Sequence, residues 1–229
     1  QFFQAEDGIR DSWASRGLGD VYKRQVINFL EKNNIKLKFI LNTHHHYDHV
    51  GGNQELKEKY TAKVIGYKGD KDRIPGIDFL INDQENWKQG NFEAKVIHIP
   101  GHTLGHICFY FYKENSVFTG DTLFSLGCGR IFEGTYSQMY NSLKKLKMLP
   151  ENTKIFCGHE YTKQNSKFCI MYDKNNQNLK NKINEIEKKL EKGLPTIPST
   201  IKDELECNIF LRSDNLENFS KLRDLKDNF

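Results

Sequence analysis

Residues 42–53 of the chain read Asn42-Thr43-His44-His45-His46-Tyr47-Asp48-His49-Val50-Gly51-Gly52-Asn53. Four histidines and one aspartate lie within six residues, directly after an apolar run at 37–41 that predicts a strand. Imidazole and carboxylate are ligands that zinc and similar cations prefer. Side chains alternate in an extended chain, so His44 and His46 project to one side, whereas Asp48 and His49 follow where the chain turns. The pattern predicts two metals that share one loop; the alternative is a solvated histidine-rich tract that binds metal adventitiously.

Three further candidate ligands follow later predicted strands, and a glycine precedes each of them. They are His102 after the strand ending at residue 99, Asp121 after the strand ending at residue 119, and His159 after the strand ending at residue 157. Glycine is expected where backbone must approach a cation closely. Together these residues would complete two metal sites. The remaining histidines are predicted to pack in the core or to orient the ligands, namely His45, His98 and His106.

Composition limits the class of protein. The chain has 229 residues, 37% of them hydrophobic and 28% charged, which is enough for one or two domains with a sizeable core. No apolar run approaches the roughly 18 residues that suggest a membrane span. The net charge of +4 is spread along the chain, which argues against a nucleic-acid partner. The five cysteines include no CxxC pair and predict reduced thiols in a cytoplasmic compartment.

The chain divides into three segments. Residues 1–25 show no sustained helical or strand period and resemble a translated sequencing adapter, so we expect a non-native leader; a natural flexible leader is the alternative. Residues 26–160 are predicted to form the metal-binding domain, in which strands alternate with helices. Residues 161–229 are predicted to form a helical domain, to which the family resemblance described below assigns substrate binding. This order predicts a layered α/β body with a helical C-terminal region.

Individual elements follow from hydrophobic periodicity. Strands are predicted at 37–41, 62–66, 93–99, 107–112, 116–119 and 154–157. Helices are predicted at 53–60, from a capping box at Thr135 to Pro150, and along the apolar stripe from Leu179 to Leu190. The polar stretch 70–90 is expected to hold loops and a short hairpin.

The motif Thr43-His44-x-His46-x-Asp48-His49, with His102, Asp121 and His159, resembles the metallo-β-lactamase superfamily. The segments Gly120-Asp121-Thr122-Leu123-Phe124 and Cys157-Gly158-His159-Glu160-Tyr161-Thr162 resemble its glyoxalase II, or hydroxyacylglutathione hydrolase, family. The similarity runs from about residue 26 to residue 229. It implies an αββα sandwich with a C-terminal helical domain. The opening strands of that fold are missing, and the leader takes their place.

The resemblance also implies the site residues. One metal would be held by His44, His46 and His102, the other by Asp48, His49 and His159, with Asp121 bridging; Asp48 and Asp121 would be the catalytic carboxylates. Both cofactors would be divalent ions, zinc foremost, with iron or manganese also compatible. Glutathione would be bound by Arg130, Tyr161, Arg223 and Lys226. Arg130 and Phe132 stand where the family commonly has lysine and tyrosine.

The implied reaction is hydrolysis of S-2-hydroxyacylglutathione thioesters, such as S-D-lactoylglutathione, to glutathione and a 2-hydroxy acid. Two metals can hold a hydroxide and polarise a carbonyl, and a thiolate leaving group needs no strong general acid. The partner would be this small molecule, with no nucleic acid or membrane, and the protein a monomer. The alternatives are a persulfide dioxygenase of the same fold with a single iron, an inactive truncated homologue, and a nuclease of the superfamily.

Overall fold

Helices occupy both ends of the chain and strands its middle. The structure, a computed structural model, describes residues 18–229. Its α-helices are α1 (Leu18–Lys32), α2 (Tyr47–Val50), α3 (Asn53–Tyr60), α4 (Tyr136–Lys147), α5 (Thr162–Tyr172), α6 (Gln177–Glu191), α7 (Ile201–Cys207) and α8 (Leu216–Asp227), and short 3-10 helices lie at Lys68–Asp70 and Tyr112–Glu114. Its strands are β1 (Phe39–Leu41), β2 (Lys63–Tyr67), β3 (Ile77–Ile81), β4 (Asn86–Gln89), β5 (Phe92–His98), β6 (Ile107–Phe111), β7 (Ser116–Gly120), β8 (Leu123–Phe124), β9 (Gly127–Cys128), β10 (Lys154–Cys157) and β11 (Ser199–Thr200).

The strands form two sheets and one small hairpin. The first sheet has the order β1-β2-β3, and its strands are parallel. The second sheet has the order β11-β10-β7-β6-β5-β4. Within it β10 runs parallel to β7, whereas β6 is antiparallel to both β5 and β7. Strands β5, β7 and β10 therefore end at the same edge of the second sheet.

Alternation along the strands packs the two sheets face to face. In β6, Ile107 and Phe109 belong to a cluster that also contains Ile65 of the first sheet, while Cys108 belongs to a second cluster on the opposite face. Both faces of the second sheet are apolar because both are covered. Helices α4 to α8 cover its outer face, and α1 and α3 cover the first sheet through Leu30 and Leu56. This arrangement confirms the αββα sandwich and the helical C-terminal region.

Several predicted elements occur close to their expected positions. The capping box at Thr135 is present, because its side chain accepts from the Gln138 backbone N–H and the Gln138 side chain accepts from the Thr135 N–H. The face of α4 predicted to be buried is buried, through Met139, Leu143 and Leu146. Helix α3 and strand β10 have the predicted bounds. These elements carry strong local signals, namely caps and regular apolar periods.

The stretch 70–90 differs in part from its prediction. The expected hairpin is there, because β4 pairs with β5 across a turn in which Gly90 has φ +58°. The same stretch also contains β3, which pairs in parallel with β2 in the other sheet. Parallel strands are not joined by a tight turn, so the sequence around β3 contains no turn signal that indicates its pairing with β2. The hairpin of β8 and β9 was likewise not predicted, because strands of two residues have no period to detect.

The first helix crosses the predicted end of the leader. Residues 1–17, which make up most of the predicted leader, lie outside the described residues. Helix α1 begins at Leu18 and ends at Lys32, so the boundary predicted between residues 25 and 26 falls within it. Val26 and Leu30 are its buried residues in the cluster with Leu56. Within residues 18–229, none of the helices combines the length and apolar character that a membrane crossing requires.

A buried carboxylate joins the C-terminal helices to the hairpin of β8 and β9. Glu204 Oε2 accepts from the Leu126 backbone N–H at 2.8 Å and from Asn208 Nδ2 at 2.8 Å. Asn208 Nδ2 also donates to the Gly127 carbonyl at 3.0 Å. Burial raises the pKa of Glu204 to about 7 despite these donors. Ionisation of this residue is therefore opposed by the fold itself.

We predict that Glu204 makes the stability of the chain depend on pH. In the unfolded chain Glu204 loses its proton near its ordinary pKa of 4.5, whereas in the folded chain it keeps the proton up to a pKa of about 7. Stability should therefore fall as the pH rises from 4.5 to about 7. Over this window the free energy of unfolding should fall, relative to that of Glu204→Gln, by up to about 3 kcal/mol. Denaturant unfolding at several pH values measures it, with Glu206→Gln as the control for loss of a charge on the same helix. Parallel pH profiles for the native chain and Glu204→Gln would contradict the prediction.

Candidate metal centre

The histidine loop, residues 42–53, is held between the two sheets by hydrogen bonds at both of its ends. Asn53 Nδ2 donates to Asn42 Oδ1 at 2.8 Å, and Asn42 Nδ2 donates to the His49 carbonyl at 3.3 Å. The Thr43 carbonyl accepts from the Ile107 backbone N–H of the second sheet at 2.8 Å. His46 then precedes α2, which carries Asp48 and His49. The change from extended chain to helix turns these last two side chains toward a second point, as the sequence predicted.

The loop residues meet the ligands predicted from the later strands. The structure forms three groups in which the ligand atoms all lie within 4.8 Å of one another. The groups are His44, His46 and His102; Asp48, His49 and His159; and His44, His49 and Asp121. All seven predicted ligands are therefore gathered in one place. The first two groups have the membership expected for two metal sites, and the third places Asp121 between them.

The Asp121 carboxylate lies at the centre of the seven residues. Its Oδ1 lies 3.3 Å from His49 Nε2. Its Oδ2 lies 3.4 Å from His159 Nε2 and 3.5 Å from His102 Nε2. One carboxylate oxygen thus faces the group with Asp48, and the other is shared between both groups. A carboxylate placed in this way can bridge two cations.

The second sheet and its glycines explain this convergence. His102, Asp121 and His159 follow β5, β7 and β10, the parallel strands that end at one edge. The Gly158 N–H donates to the Gly120 carbonyl at 2.9 Å, which brings two of these loops together. A Cβ atom at Gly158 would lie 2.2 Å from Asp121 Oδ1, so no side chain fits there. Gly120 has φ +49°, a conformation that side chains disfavour.

Electrostatics hold most of these groups in the form that binds metal. Burial lowers the pKa values of His44, His46 and His102, aided by repulsion from neighbouring imidazoles. These rings are therefore neutral and able to donate a lone pair. Burial would raise the pKa of Asp121, but His49 and His159 hold it well below its ordinary value. Burial alone would lower the pKa of His49, but the carboxylates of Asp121 and Asp48 raise it. His49 therefore tends to hold a proton, which a bound cation would displace.

The residues present fit a divalent metal. Three buried ligand atoms make no hydrogen bond of good geometry within residues 18–229, namely His44 Nε2, His49 Nε2 and Asp121 Oδ1, the last two of which face each other at 3.3 Å. The His102 Nδ1–H donates to the Arg130 carbonyl at 2.7 Å, which leaves His102 Nε2 as the lone-pair atom. Buried polar atoms without partners are costly. A cation with nitrogen and oxygen ligands would satisfy them, so this chain is suited to bind divalent metal ions.

The remaining histidines have partners other than a metal. His106 is fully buried, stacks on His44 at a ring distance of 4.6 Å, and accepts the Asp121 backbone N–H at Nε2. His45 Nδ1 lies 3.2 Å from Asp70 Oδ2. His98 is bonded to the Leu104 carbonyl at 2.8 Å. These contacts agree with the expectation that such rings pack or orient ligands.

Two of the predicted glutathione contacts lie on the exposed side of the centre. The Tyr161 ring is half exposed and stacks on the His159 ring at 5.0 Å. Arg130 also has an exposed side chain, although its backbone carbonyl binds His102. Exposed Phe132 packs edge-on against His46 and His102. Two exposed aromatic rings therefore border the candidate ligands, and Arg130 contacts one ligand through its backbone.

The other two predicted contacts lie on α8 and are more covered. Arg223 is buried, and its Nη1 donates to the Cys128 carbonyl at 2.7 Å. Lys226 lies 5.0 Å above the Phe168 ring, and burial together with the Arg223 charge lowers its pKa. The two basic residues do occur on one terminal helix, as predicted. The structure thus gives Arg223 an internal partner that sequence reasoning did not foresee.

Sequence reasoning missed a charged cluster beside the histidine loop. Asp70 is buried and is bonded to both His45 and Arg73. Arg73 also donates to Glu133 at 2.6 Å, and Glu133 in turn accepts the Leu104 N–H at 2.8 Å. The cluster connects the segment at 70–73 to the histidine loop and to the loops that contain His102 and Arg130. The only signal for it was the unusually high charge of the segment at 70–73, which alone is typical of a solvated turn.

We predict that Asp121→Ala and His45→Ala affect metal binding differently. Asp121 lies between both groups of ligands, so its loss should lower the metal content of the purified protein. His45 faces Asp70 instead, so His45→Ala should keep near-normal metal stoichiometry. Elemental analysis of both variants measures this. Equal loss of metal in the two variants would contradict the assignment.

We predict that Gly158→Ala weakens metal binding without removing a ligand. The added methyl group would force the Asp121 carboxylate away, because a Cβ there would lie 2.2 Å from its Oδ1. We expect a metal dissociation constant raised by about 10-fold or more, since even distant groups that orient ligands have effects of that size. Competition with a chromophoric chelator measures it. Unchanged affinity, with the variant folded, would contradict the close approach seen here.

Comparisons with known proteins agree with this geometry. Residues 13–159 match the family described as "Metallo-beta-lactamase superfamily", and residues 160–229 match "Hydroxyacylglutathione hydrolase C-terminus". The hydroxyacylglutathione hydrolase of Pelagibacter ubique (strain HTCC1062) is 78% identical over 206 residues, which are 90% of this chain and 86% of that protein. The protein of the same name from Prochlorococcus marinus (strain MIT 9301) is 48% identical over 88% of this chain and 83% of its own.

Among solved structures, the fold is similar to that of ETHE1 from Myxococcus xanthus. The TM-score is 0.66 at 24% identity, over 88% of this chain and 74% of the other, which supports the fold alone. The family is established by the sequence relatives and by the two adjoining family matches. The chain belongs to the metallo-β-lactamase superfamily and, within it, to the hydroxyacylglutathione hydrolase, or glyoxalase II, family.

Proposed function

We propose that this protein hydrolyses S-2-hydroxyacylglutathione thioesters, such as S-D-lactoylglutathione, to glutathione and a 2-hydroxy acid. Family membership and the C-terminal match support the reaction. The observation that carries the proposal is the position of Arg130. Its backbone carbonyl orients the candidate ligand His102, while its side chain contacts Asp227 on α8. The metal centre and helix α8 are therefore joined at one residue.

Two divalent ions, proposed to be zinc, fit the seven ligands. His44, His46 and His102 would hold one ion, Asp48, His49 and His159 the other, and Asp121 would bridge them. Iron and manganese accept the same donors. When bound, such ions activate water and polarise a carbonyl group.

The chain itself supplies orientation and a proton acceptor. Asp48 Oδ2 lies 3.2 Å from His159 Nε2, and the Asp48 side chain retains 29% of its exposure, so this carboxylate is accessible to solvent. Hydrogen bonding and charge from His159 and His49 lower the pKa of Asp48 against the effect of burial. Asp48 is therefore ionised and can take a proton from the attacking water. Asp121 is more deeply buried and keeps the two groups of ligands at a fixed separation.

The leaving group explains why a thioester suits this site. The conjugate acid of a thiolate has a pKa of about 8.5, so a thiolate departs without a strong general acid. An amine leaving group would need a proton during bond cleavage. The polar atoms gathered here are mainly metal ligands and their partners, which favours a thioester over an amide.

Arg130, Tyr161, Arg223 and Lys226 are proposed to bind the glutathione moiety. Glutathione carries two carboxylates, which basic side chains recognise through charge-assisted hydrogen bonds. Tyr161 stacks on the candidate ligand His159, and the Arg130 side chain contacts Asp227 on α8, the helix that carries the two further cations. A small thioester without carboxylates would lack these contacts. We also propose that the protein acts as a monomer in the cytoplasm, where its five buried free cysteines would stay reduced.

The alternatives receive less support. A dioxygenase with a single iron would not need Asp48, His49 and His159 as a complete second group, yet these residues converge. An inactive homologue would not be expected to keep all seven ligands together.

We predict that the full chain, loaded with zinc, discriminates between thioesters. Its kcat/KM for S-D-lactoylglutathione should exceed that for the lactoyl thioester of N-acetylcysteamine by about 10-fold or more, because only the first offers carboxylates to the basic residues. Thiol release followed with a chromogenic reagent measures both. Equal kcat/KM for the two thioesters, or oxygen uptake with glutathione persulfide in place of hydrolysis, would contradict the proposed function.

A further inference from the structure

Two arginines from different parts of the chain meet on one oxygen of Asp227. Asp227 Oδ1 accepts from Arg223 Nη2 at 2.9 Å and from Arg130 Nε at 3.1 Å. The Asp227 backbone carbonyl also accepts from Arg130 Nη2 at 3.3 Å. Arg130 follows the β8–β9 hairpin, whereas Arg223 and Asp227 lie on α8. A single residue therefore fixes both guanidinium groups.

The local physics of α8 does not favour an aspartate at this position. Asp227 is the last residue of the helix, where the carbonyl ends of the helix dipole repel a negative charge. A lysine or arginine would suit that position better. The two arginine contacts offset the repulsion, and one of them comes from 97 residues away. The placement of this carboxylate is therefore explained by its tertiary partners.

The two arginines held by Asp227 differ in exposure. Arg223 is buried and donates to both the Cys128 carbonyl and Asp227. Arg130 keeps 54% of its side-chain exposure, and Asp227 engages its Nε and Nη2. Within the described residues, no hydrogen bond is made by Arg130 Nη1. Asp227 thus orders the Arg130 guanidinium while its Nη1 can still donate to a ligand. Because the side chain is already ordered, less conformational entropy is lost when a ligand binds.

We propose that Asp227 is a positioning residue for substrate recognition: it holds Arg130, braced by Arg223, where an anionic group of the substrate can bind. This inference rests on the proposed function, because the anion is taken to be a carboxylate of glutathione. Asp227 acts only through the arginines and does not touch the thioester. The contacts it organises are remote from the bond that breaks, so they should be equally strong in the ground state and the transition state.

The test is the kinetics of Asp227→Asn in the full chain loaded with zinc. KM for S-D-lactoylglutathione should rise by about 3- to 10-fold, as expected for the loss of one or two hydrogen bonds to charged groups, while kcat stays within about twofold. Kinetic constants for the lactoyl thioester of N-acetylcysteamine should be unchanged within about twofold. A defect in the fold or the metal centre would instead lower kcat for both substrates.

Three further variants separate positioning from other effects. Asp224→Asn removes the same charge from the same helix turn, but Asp224 is bonded to Tyr136 and not to an arginine, so its KM should be unchanged. Asp227→Glu keeps the charge and should give a KM between those of the native chain and Asp227→Asn. If Asp227 acts through Arg130, adding Asp227→Asn to Arg130→Ala should raise KM much less than it does in the native chain.

The outcomes distinguish this inference from the function on which it rests. An Asp227→Asn variant that keeps the native KM, or that loses kcat equally with both thioesters, overturns the role of Asp227 but leaves the hydrolase function standing. A native chain that treats both thioesters alike overturns the proposed function and this inference together. If Asp227→Asn does not fold, Asp227→Glu decides: a raised KM for the glutathione thioester alone supports the role, and an unchanged KM overturns it.

Discussion

The centre of this protein depends on a buried carboxylate surrounded by imidazoles. Asp121 lies within 3.5 Å of His102 and closer still to His49 and His159. A carboxylate removed from water stays ionised only where cations or donors compensate it, and the surrounding rings do so here. In the metal-bound state this role passes to the cations. The same attraction that stabilises the ligand cluster without metal is thus the one that would hold two metals close together.

Backbone geometry makes that carboxylate possible. Three parallel strands of the second sheet end at one edge, and each is followed by a ligand. Gly158 leaves room for the Asp121 carboxylate, and fully buried His106 accepts the Asp121 backbone N–H at 3.1 Å. The C-terminal helices depend on the same region, because Arg130 bonds His102 through its backbone and Asp227 through its side chain. The candidate ligands and helix α8 are therefore connected through a short segment of loop.

Local patterns predicted much of the sandwich. Strands with regular alternation, such as β5 and β6, and helices with caps, such as α4, occur where periodicity placed them, because their signals lie within a few residues of the element itself. Strand β3 was missed, as were β8 and β9, since short strands are specified by their partners. The parallel pairing of β3 with β2 depends on packing between sheets, which a linear pattern does not contain.

The sequence by itself determined the types of candidate ligand and the two pairs within the histidine loop, because the motif at 44–49 places imidazoles and a carboxylate together and glycine precedes each later candidate. Only the tertiary structure decided the partners of the basic residues. Arg223 is buried against the Cys128 carbonyl and Asp227, and Arg130 shares the same carboxylate. Helical spacing indicates which residues share a face. The groups that contact this face come from distant segments and depend on how the helix packs. The sequence pattern of the helix alone does not predict them.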